Sequence, residues 1–183
     1  MYICGPVWDK RVVSIEQQGK TGIVMSGGLD SYVLYCLLDN PIIFNIKRKD
    51  GFDNADNVRR LTNKDVIEVD EVSRNHWDRV PLTIEKILND YDIDSLFTGI
   101  NHTPPTDHFP EFDTPSKPSR PWKVDFEKVE APFLHLYKYH IIDLARQFSL
   151  DLTGTLSCLH NLDFHCGECW QCKERQWGFD QLK

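Results

Sequence analysis

Six residues, Ser26-Gly27-Gly28-Leu29-Asp30-Ser31, sit between one apolar run (Gly22 to Met25) and the start of another (Tyr32 to Leu38). The order reads as a strand, a glycine turn and a helix N-terminus. Paired glycines let the backbone approach an anion closely, while the helix end offers unpaired N–H groups carrying partial positive charge. Ser26 and Ser31 add hydroxyl donors, so the turn is suited to phosphate. A second phosphate loop is hinted at by Gly19-Lys20-Thr21, but the Walker pattern needs glycine where Ser14 stands. Lys20 also precedes the strand instead of opening a helix, and the Walker reading fails.

With 183 residues the chain has the length of one domain plus a small appendage. Its net charge of −7 disfavours extended binding to a nucleic-acid backbone. The N-terminus shows no basic segment followed by an apolar core, and no run approaches the roughly 20 apolar residues of a membrane span. The expectation is a soluble, cytoplasmic protein with neither nucleic-acid nor membrane partner. In a reducing compartment six cysteines point to metal ligation, catalysis or the core before disulfides.

Short β-rich runs alternate with helix-like segments: Gly22 to Met25, Tyr32 to Leu38, Ile42 to Ile46, Ala55 to Leu61, Val66 to Val69, Leu82 to Tyr91 and Ser95 to Thr98. This alternation predicts an α/β fold, a parallel sheet with helices on both faces, with ligands beyond the carboxyl ends of its strands. The first twenty residues read as an extra strand or hairpin added at the sheet edge. From Asn101 to Lys123 runs a long loop holding six of the ten prolines, whose Phe109, Phe112 and Trp122 favour a pocket or lid. Lys138 to Phe148 then carries the apolar spacing of a helix. The resulting division is 1–150 for the nucleotide-binding catalytic domain and 151–183 for a cysteine-rich tail packed on it.

Cys158, Cys166, Cys169 and Cys172 form C-x7-C-x2-C-x2-C, with Gly167 at a tight knuckle. Four thiolates complete a tetrahedral structural Zn²⁺; an iron–sulfur cluster uses the same ligands but finds no other redox signature here. His160 and His165 are flanking residues by this count. Cys36 reads as a buried, inert thiol in the helix after the glycine turn, and Cys4 stands alone.

Ser26 to Ser31 resembles the PP-loop of the ATP pyrophosphatase superfamily, which cleaves ATP between its α and β phosphates. Joined to the cysteine tail, to Gly99-Ile100-Asn101, to the segment Ala131 to Lys138, and to Ser157, Arg175 and Gly178-Phe179, it is similar to the QueC family of 7-cyano-7-deazaguanine (preQ0) synthases. The resemblance implies a Rossmann-like, adenine nucleotide alpha hydrolase-like fold, a homodimer, and ATP, Mg²⁺ and Zn²⁺ as cofactors. It implies a ligase of queuosine biosynthesis that adenylates 7-carboxy-7-deazaguanine and uses ammonia to form the amide and then the nitrile, releasing AMP and pyrophosphate. Ser26, Gly27, Gly28, Leu29, Asp30 and Ser31 would bind pyrophosphate, Asp30 and Lys138 would act in catalysis, and Gly99, Asn101, Asp107, Phe109, Glu111 and Phe112 would meet the substrate. The alternatives are a PP-loop ligase for another acid or one that stops at the amide, and a non-catalytic nucleotide-binding zinc module.

The chain also departs from that family. Asn45-Ile46-Lys47-Arg48-Lys49 does not match the family's tyrosine-glycine-glutamine stretch, and Asp107-His108-Phe109-Pro110-Glu111-Phe112 lacks the arginine of its substrate loop. Lys117 or Arg120 is the substitute available for pairing with an anionic substrate group. The chain reads as a short, divergent member.

Overall fold

The computed structural model describes residues 1–48, 54–73, 79–105, 127–160 and 163–183. A five-stranded parallel sheet is built from β3 (Thr21–Val24), β4 (Ile42–Lys47), β5 (Val66–Asp70), β6 (Ser95–Thr98) and β7 (Val129–Glu130) in the order β5-β4-β3-β6-β7. The predicted α/β class and the runs assigned to β3 to β6 are therefore as expected. The chain order reverses direction on either side of β3, which places a topological switch point between β3 and β6, where a ligand crevice opens in such sheets.

Alternation along the strands divides the core in two, since successive side chains of a strand point to opposite faces. Ile23, Ile43 and Phe97 join one buried cluster with α1 (Leu29–Cys36), α2 (Ala55–Thr62) and α4 (Lys138–Gln147), through residues such as Val33, Val58 and Ile141. Phe44 and Leu96 face the other way and pack with Ile84 and Ile87 of α3 (Arg79–Asp90). Helices thus cover both faces. Pro81 stands in the first turn of α3, where its missing N–H costs nothing.

The N-terminal residues depart from expectation. β1 (Tyr2–Cys4) and β2 (Arg11–Val13) pair only with each other, antiparallel, and add no strand to the main sheet. Their partner is α4: the Gly5 N–H donates to Asp143 Oδ2 at 2.7 Å and Gln147 Nε2 donates to the Ile3 carbonyl at 2.9 Å. Two strands alone are marginal, and burial against a helix supplies what they lack. Cys4 is fully buried in this joint, and burial pushes its thiol up to about 11.

Between hairpin and helix lies a buried polar knot. The Tyr137 N–H donates to His140 Nδ1 at 3.0 Å, so Nε2 carries the proton and donates to the Asp9 carbonyl at 3.0 Å. Tyr139 donates its hydroxyl to Asp9 Oδ2, and Arg11 pairs with the same carboxylate at 3.2 Å. Burial drives His140 down to about 4 against the opposing pull of Asp9, so the ring is neutral at physiological pH.

The last helix, α5 (Trp170–Asp180), packs along α4. A Cβ on Gly178 would lie 2.7 Å from Lys138 Cγ and 2.9 Å from Ile142 Cδ1, so this position admits no side chain. Phe179 joins the larger core cluster, and Arg175 donates to Thr155 Oγ1 at 2.8 Å and to the Leu152 carbonyl at 3.1 Å.

Candidate functional site

The glycine turn leaves β3 at its carboxyl end, and Gly28 is the N-cap of α1. Gly27 has φ +77, and a Cβ there would lie 2.4 Å from Asn54 Nδ2, so both backbone and space require glycine. The carbonyls of the turn are held from outside. Asn54 Nδ2 donates to the Ser26 carbonyl at 2.6 Å, while the Leu156 N–H reaches the Gly27 carbonyl at 2.9 Å and Asn57 Nδ2 reaches it at 3.4 Å. With its carbonyls so occupied, the turn keeps its donors for the inner side. There the Ser26 N–H meets Ser31 Oγ at 3.3 Å, the Gly28 N–H meets Ser26 Oγ at 3.4 Å, and the Leu29 N–H meets Ser157 Oγ at 3.4 Å. These contacts are long for hydrogen bonds, and their donors suit a better acceptor such as phosphate. The Leu29 side chain itself is in the core.

Lys138 reaches this turn from the start of α4. It is almost fully buried, pairs with Asp30 Oδ2, and lies 3.8 Å from Glu174 Oε2 on α5. Burial alone would push its ammonium down, but the Asp30 and Glu174 carboxylates outweigh burial and raise it above the usual lysine value. The side chain is thus a fixed cation at the mouth of the loop rather than an exposed helix-start lysine. Asn101 is tied to the same group, its Nδ2 donating to Glu174 Oε1 at 3.0 Å.

Gly99 follows β6 and serves by its smallness: a Cβ there would lie 2.8 Å from the Ser31 N, so glycine lets this loop lie against the first turn of α1. Asp107, Phe109, Glu111 and Phe112, with Lys117 and Arg120, lie outside the described residues.

Two cavities share the loop. One of about 240 Å³ includes Gly28, Asp30, Asn101, Lys138, Ser157 and Glu174 in its lining. The other, of about 290 Å³, runs from Ser26 and Ser31 toward Asn45, Glu71, Ile84 and Thr98. Ser26, Asp30, Asn45, Ile46 and Arg48 line both, which makes one continuous crevice across the ends of β3, β4 and β6.

The four cysteines converge as their spacing predicts. The sulfurs of Cys158, Cys166, Cys169 and Cys172 all lie within 4.8 Å of one another, and Cys166 and Cys172 are 3.9 Å apart. A tetrahedron with metal–sulfur distances of about 2.3 Å has edges of about 3.8 Å, so the set fits zinc. Backbone N–H groups already point at the sulfurs, from Cys169 to Cys166 at 3.3 Å and from His160 to Cys158 at 3.4 Å. Such donation from the Cys169 and Glu168 N–H groups brings the Cys166 thiol down to about 6, toward the thiolate a metal requires. Gly167 has φ +77, as the knuckle demands. His165 lies beside the cluster, its Nδ1 3.7 Å from the Cys172 sulfur and its Nε2 3.2 Å from the Thr155 carbonyl.

Of the residues lining the site, Asn54, Asn57, Glu71 and Glu174 belong to no motif that the sequence reveals. Ser157 enters the resemblance only as the neighbour of Cys158, and Asn45 opens the stretch that departs from the family pattern.

Residues 119–183 match the family model described as Queuosine biosynthesis protein QueC. A 7-cyano-7-deazaguanine synthase of Nitratiruptor is 37% identical over 54 residues, covering 30% of this chain and 24% of that protein. One from Polynucleobacter asymbioticus is 41% identical over 56 residues, 30% of this chain and 23% of its own. The 7-cyano-7-deazaguanine synthase 1 of Sulfurisphaera tokodaii is 38% identical over 52 residues, 28% and 26% of the two chains. The matched segments span about a quarter of the length of these curated relatives. That matched segment carries the cysteine cluster and the lysine facing the glycine loop, and through it the chain is similar to the QueC family.

Proposed function

We propose that this protein is an ATP-dependent C–N ligase that activates the carboxylate of 7-carboxy-7-deazaguanine as an acyl adenylate. The observation that carries the reading is the glycine turn whose carbonyls are held from behind while Lys138 and Asp30 close its front. The name of these relatives, 7-cyano-7-deazaguanine synthase, supplies the substrate class.

A carboxylate cannot expel oxide or hydroxide, whereas its adenylate expels AMP. The carboxylate oxygen attacks the α phosphorus of ATP and pyrophosphate leaves; ammonia then attacks the acyl carbon, AMP departs, and a proton is lost to give the amide. In the second round the amide oxygen attacks another ATP, pyrophosphate leaves again, and loss of AMP with the remaining N–H protons gives the nitrile. The protein's share is positioning and charge. The N–H groups of Gly27 to Asp30, with the Ser26 and Ser31 hydroxyls, hold the departing pyrophosphate at the positive end of α1. Lys138 stabilises the charge that builds on the bridging oxygen, and Asp30 would help hold the Mg²⁺ that accompanies ATP, which would offset the repulsion between phosphates. Among the described residues no helix is long and apolar enough to cross a membrane. The four cysteines of the tail would hold Zn²⁺, and the tail supplies, through α5, the Glu174 that faces Lys138. Asp107, Glu111, Phe109 and Phe112 remain the proposed contacts to the heterocycle, carboxylates for its N–H donors and rings for its face.

The test is pyrophosphate release with ATP, ammonium and 7-carboxy-7-deazaguanine. About two pyrophosphates per nitrile is the expected result. One per amide assigns the enzyme to amide formation, and release no faster than with ATP alone overturns the reading.

A further inference from the structure

One face of α5 meets both ends of the Lys138 side chain. Gly178 lies against the stem, where a Cβ would stand 2.7 Å from Lys138 Cγ, and Glu174, one turn earlier, lies against the head, with its Oε2 3.8 Å from Nζ. The other oxygen of this carboxylate, Oε1, accepts from Asn101 Nδ2 at 3.0 Å, which ties α5 to the loop after β6. Glu174 is 3% exposed and Lys138 4%, so the three groups meet away from bulk water.

Stability alone does not account for a carboxylate in this place. Taking two charges out of water cancels much of what their attraction gains, and apolar side chains of similar volume often serve a core as well or better. What the carboxylate adds is direction. At 3.8 Å Glu174 is too far to accept a hydrogen bond from the ammonium, so it attracts Lys138 without occupying one of the three donors. Asp30 also holds the ammonium, but from the first turn of α1, where arriving phosphates compete for the same lysine. Glu174 pulls from another helix, and the Asn101 amide keeps its carboxylate from turning away.

We propose that Glu174 is a positioning residue for adenylation, holding the Lys138 ammonium in front of the glycine loop so that it meets the bridging oxygen as pyrophosphate leaves. The inference rests on the ligase reading above. In that step the carboxylate oxygen bonds to the α phosphorus while the bond from that phosphorus to the bridging oxygen breaks. The electron pair stays on the bridging oxygen, which departs with pyrophosphate. A lysine held at that oxygen neutralises the charge as it builds; one left to wander does so only part of the time.

The test is single-turnover consumption of nucleotide with 7-carboxy-7-deazaguanine and no ammonium, in the full chain, Glu174→Gln and Glu174→Asp, with calorimetric ATP stoichiometry counting the intact sites. Glu174→Gln keeps the shape and an acceptor for Asn101 but removes the charge. Adenylation at saturating ATP should slow about thirtyfold per intact site, while the half-saturating ATP concentration changes by less than about threefold. ATP and its β,γ-difluoromethylene and β,γ-methylene analogues then separate positioning from structure. Their leaving groups grow more basic from difluoromethylene bisphosphonate through pyrophosphate to methylene bisphosphonate. A lysine that neutralises the leaving group flattens the dependence of rate on that basicity, so Glu174→Gln should steepen it, and Glu174→Asp, with its charge retracted, should fall between. A wild-type rate in Glu174→Gln, or a loss in equal proportion for all three nucleotides, overturns this inference and leaves the ligase reading standing. If Glu174→Gln binds no ATP, Glu174→Asp decides: a dependence steeper than wild type supports the inference, an unchanged one overturns it, and loss of ATP binding in both variants makes Glu174 structural and overturns it too. A wild type that consumes nucleotide no faster with the deazaguanine than without it overturns the ligase reading itself.

Discussion

The glycine loop and the cysteine cluster are the two proposed ligand cradles, and they are built in opposite ways. Four sulfurs come from fifteen consecutive positions, Cys158 to Cys172, and backbone N–H groups of the same short segment steady them. The loop from Ser26 to Ser31 is also short, but what holds it is remote: Asn54 and Asn57 from the far side of β4, Leu156 and Ser157 from the tail, and Lys138 from α4. A locally encoded site stands or falls with its ligand. A remotely held site fails when any of several distant elements shifts.

Metal removal is the hardest blow to that contrast. Binding energy of a structural zinc is folding energy, and Cys169→Ser removes a ligand that is also the N-cap of α5. One Zn²⁺ per chain is expected by elemental analysis, with sulfur ligands at about 2.3 Å by X-ray absorption. The variant or a chelated wild type should lose most of its soluble yield, and turnover should fall with it because Glu174 and Ser157 flank the cluster. Iron in place of zinc, or a well-folded protein without metal, contradicts the assignment.

Next come substitutions in the loop itself. Ser26→Ala should lower pyrophosphate release by about a hundredfold with a melting temperature near that of the wild type, since Ser26 is exposed to the crevice and its hydroxyl makes only long contacts. Asp30→Ala should abolish turnover and also cost stability, up to about 3 kcal/mol, because it strips one carboxylate from the buried Lys138 and leaves Glu174 at 3.8 Å to hold the charge. Full activity in either variant would remove the phosphate-loop assignment.

Gly27→Ala sharpens the comparison from the backbone side. It forces a side chain into φ +77 and against Asn54, which should cost about 1–3 kcal/mol in chemical denaturation and weaken ATP binding more than zinc content. Parallel losses of zinc and ATP binding would show that the two cradles fold as one unit.

Acid exposes a third joint, where α4 meets the N-terminal hairpin. The folded His140 is held near 4 while an unfolded histidine titrates at about 6.5, so between these values the unfolded chain binds the extra proton. Stability contributed by neutral His140 is therefore complete above about pH 6.5 and lost as the pH falls toward 4. His140→Gln should flatten that part of the melting-temperature profile; an unchanged slope would place the acid sensitivity elsewhere. The smallest effect is expected at Cys36, half-buried and with its thiol pushed up by burial, where Cys36→Ser should leave turnover within about twofold and alkylation of the wild type should be slow.

The sequence by itself determined what depends on neighbours along the chain. Strand and helix alternation, the glycine turn and the cysteine spacing are short-range patterns, and their physics, side-chain periodicity, permitted φ angles and ligand reach, acts within a few residues. The hairpin was legible as two strands, but its docking on α4 was not, because edge pairing and helix packing bury the same side of so short a ribbon. Tertiary structure alone decided that Lys138 is a buried cation, since a lysine beginning a helix looks the same in sequence whether it faces water or two carboxylates 108 and 36 positions away. It alone brought Asn45 of β4, Thr98 of β6 and Glu71 just after β5 to one cavity, because parallel strands joined by helices set side by side residues that the chain keeps far apart.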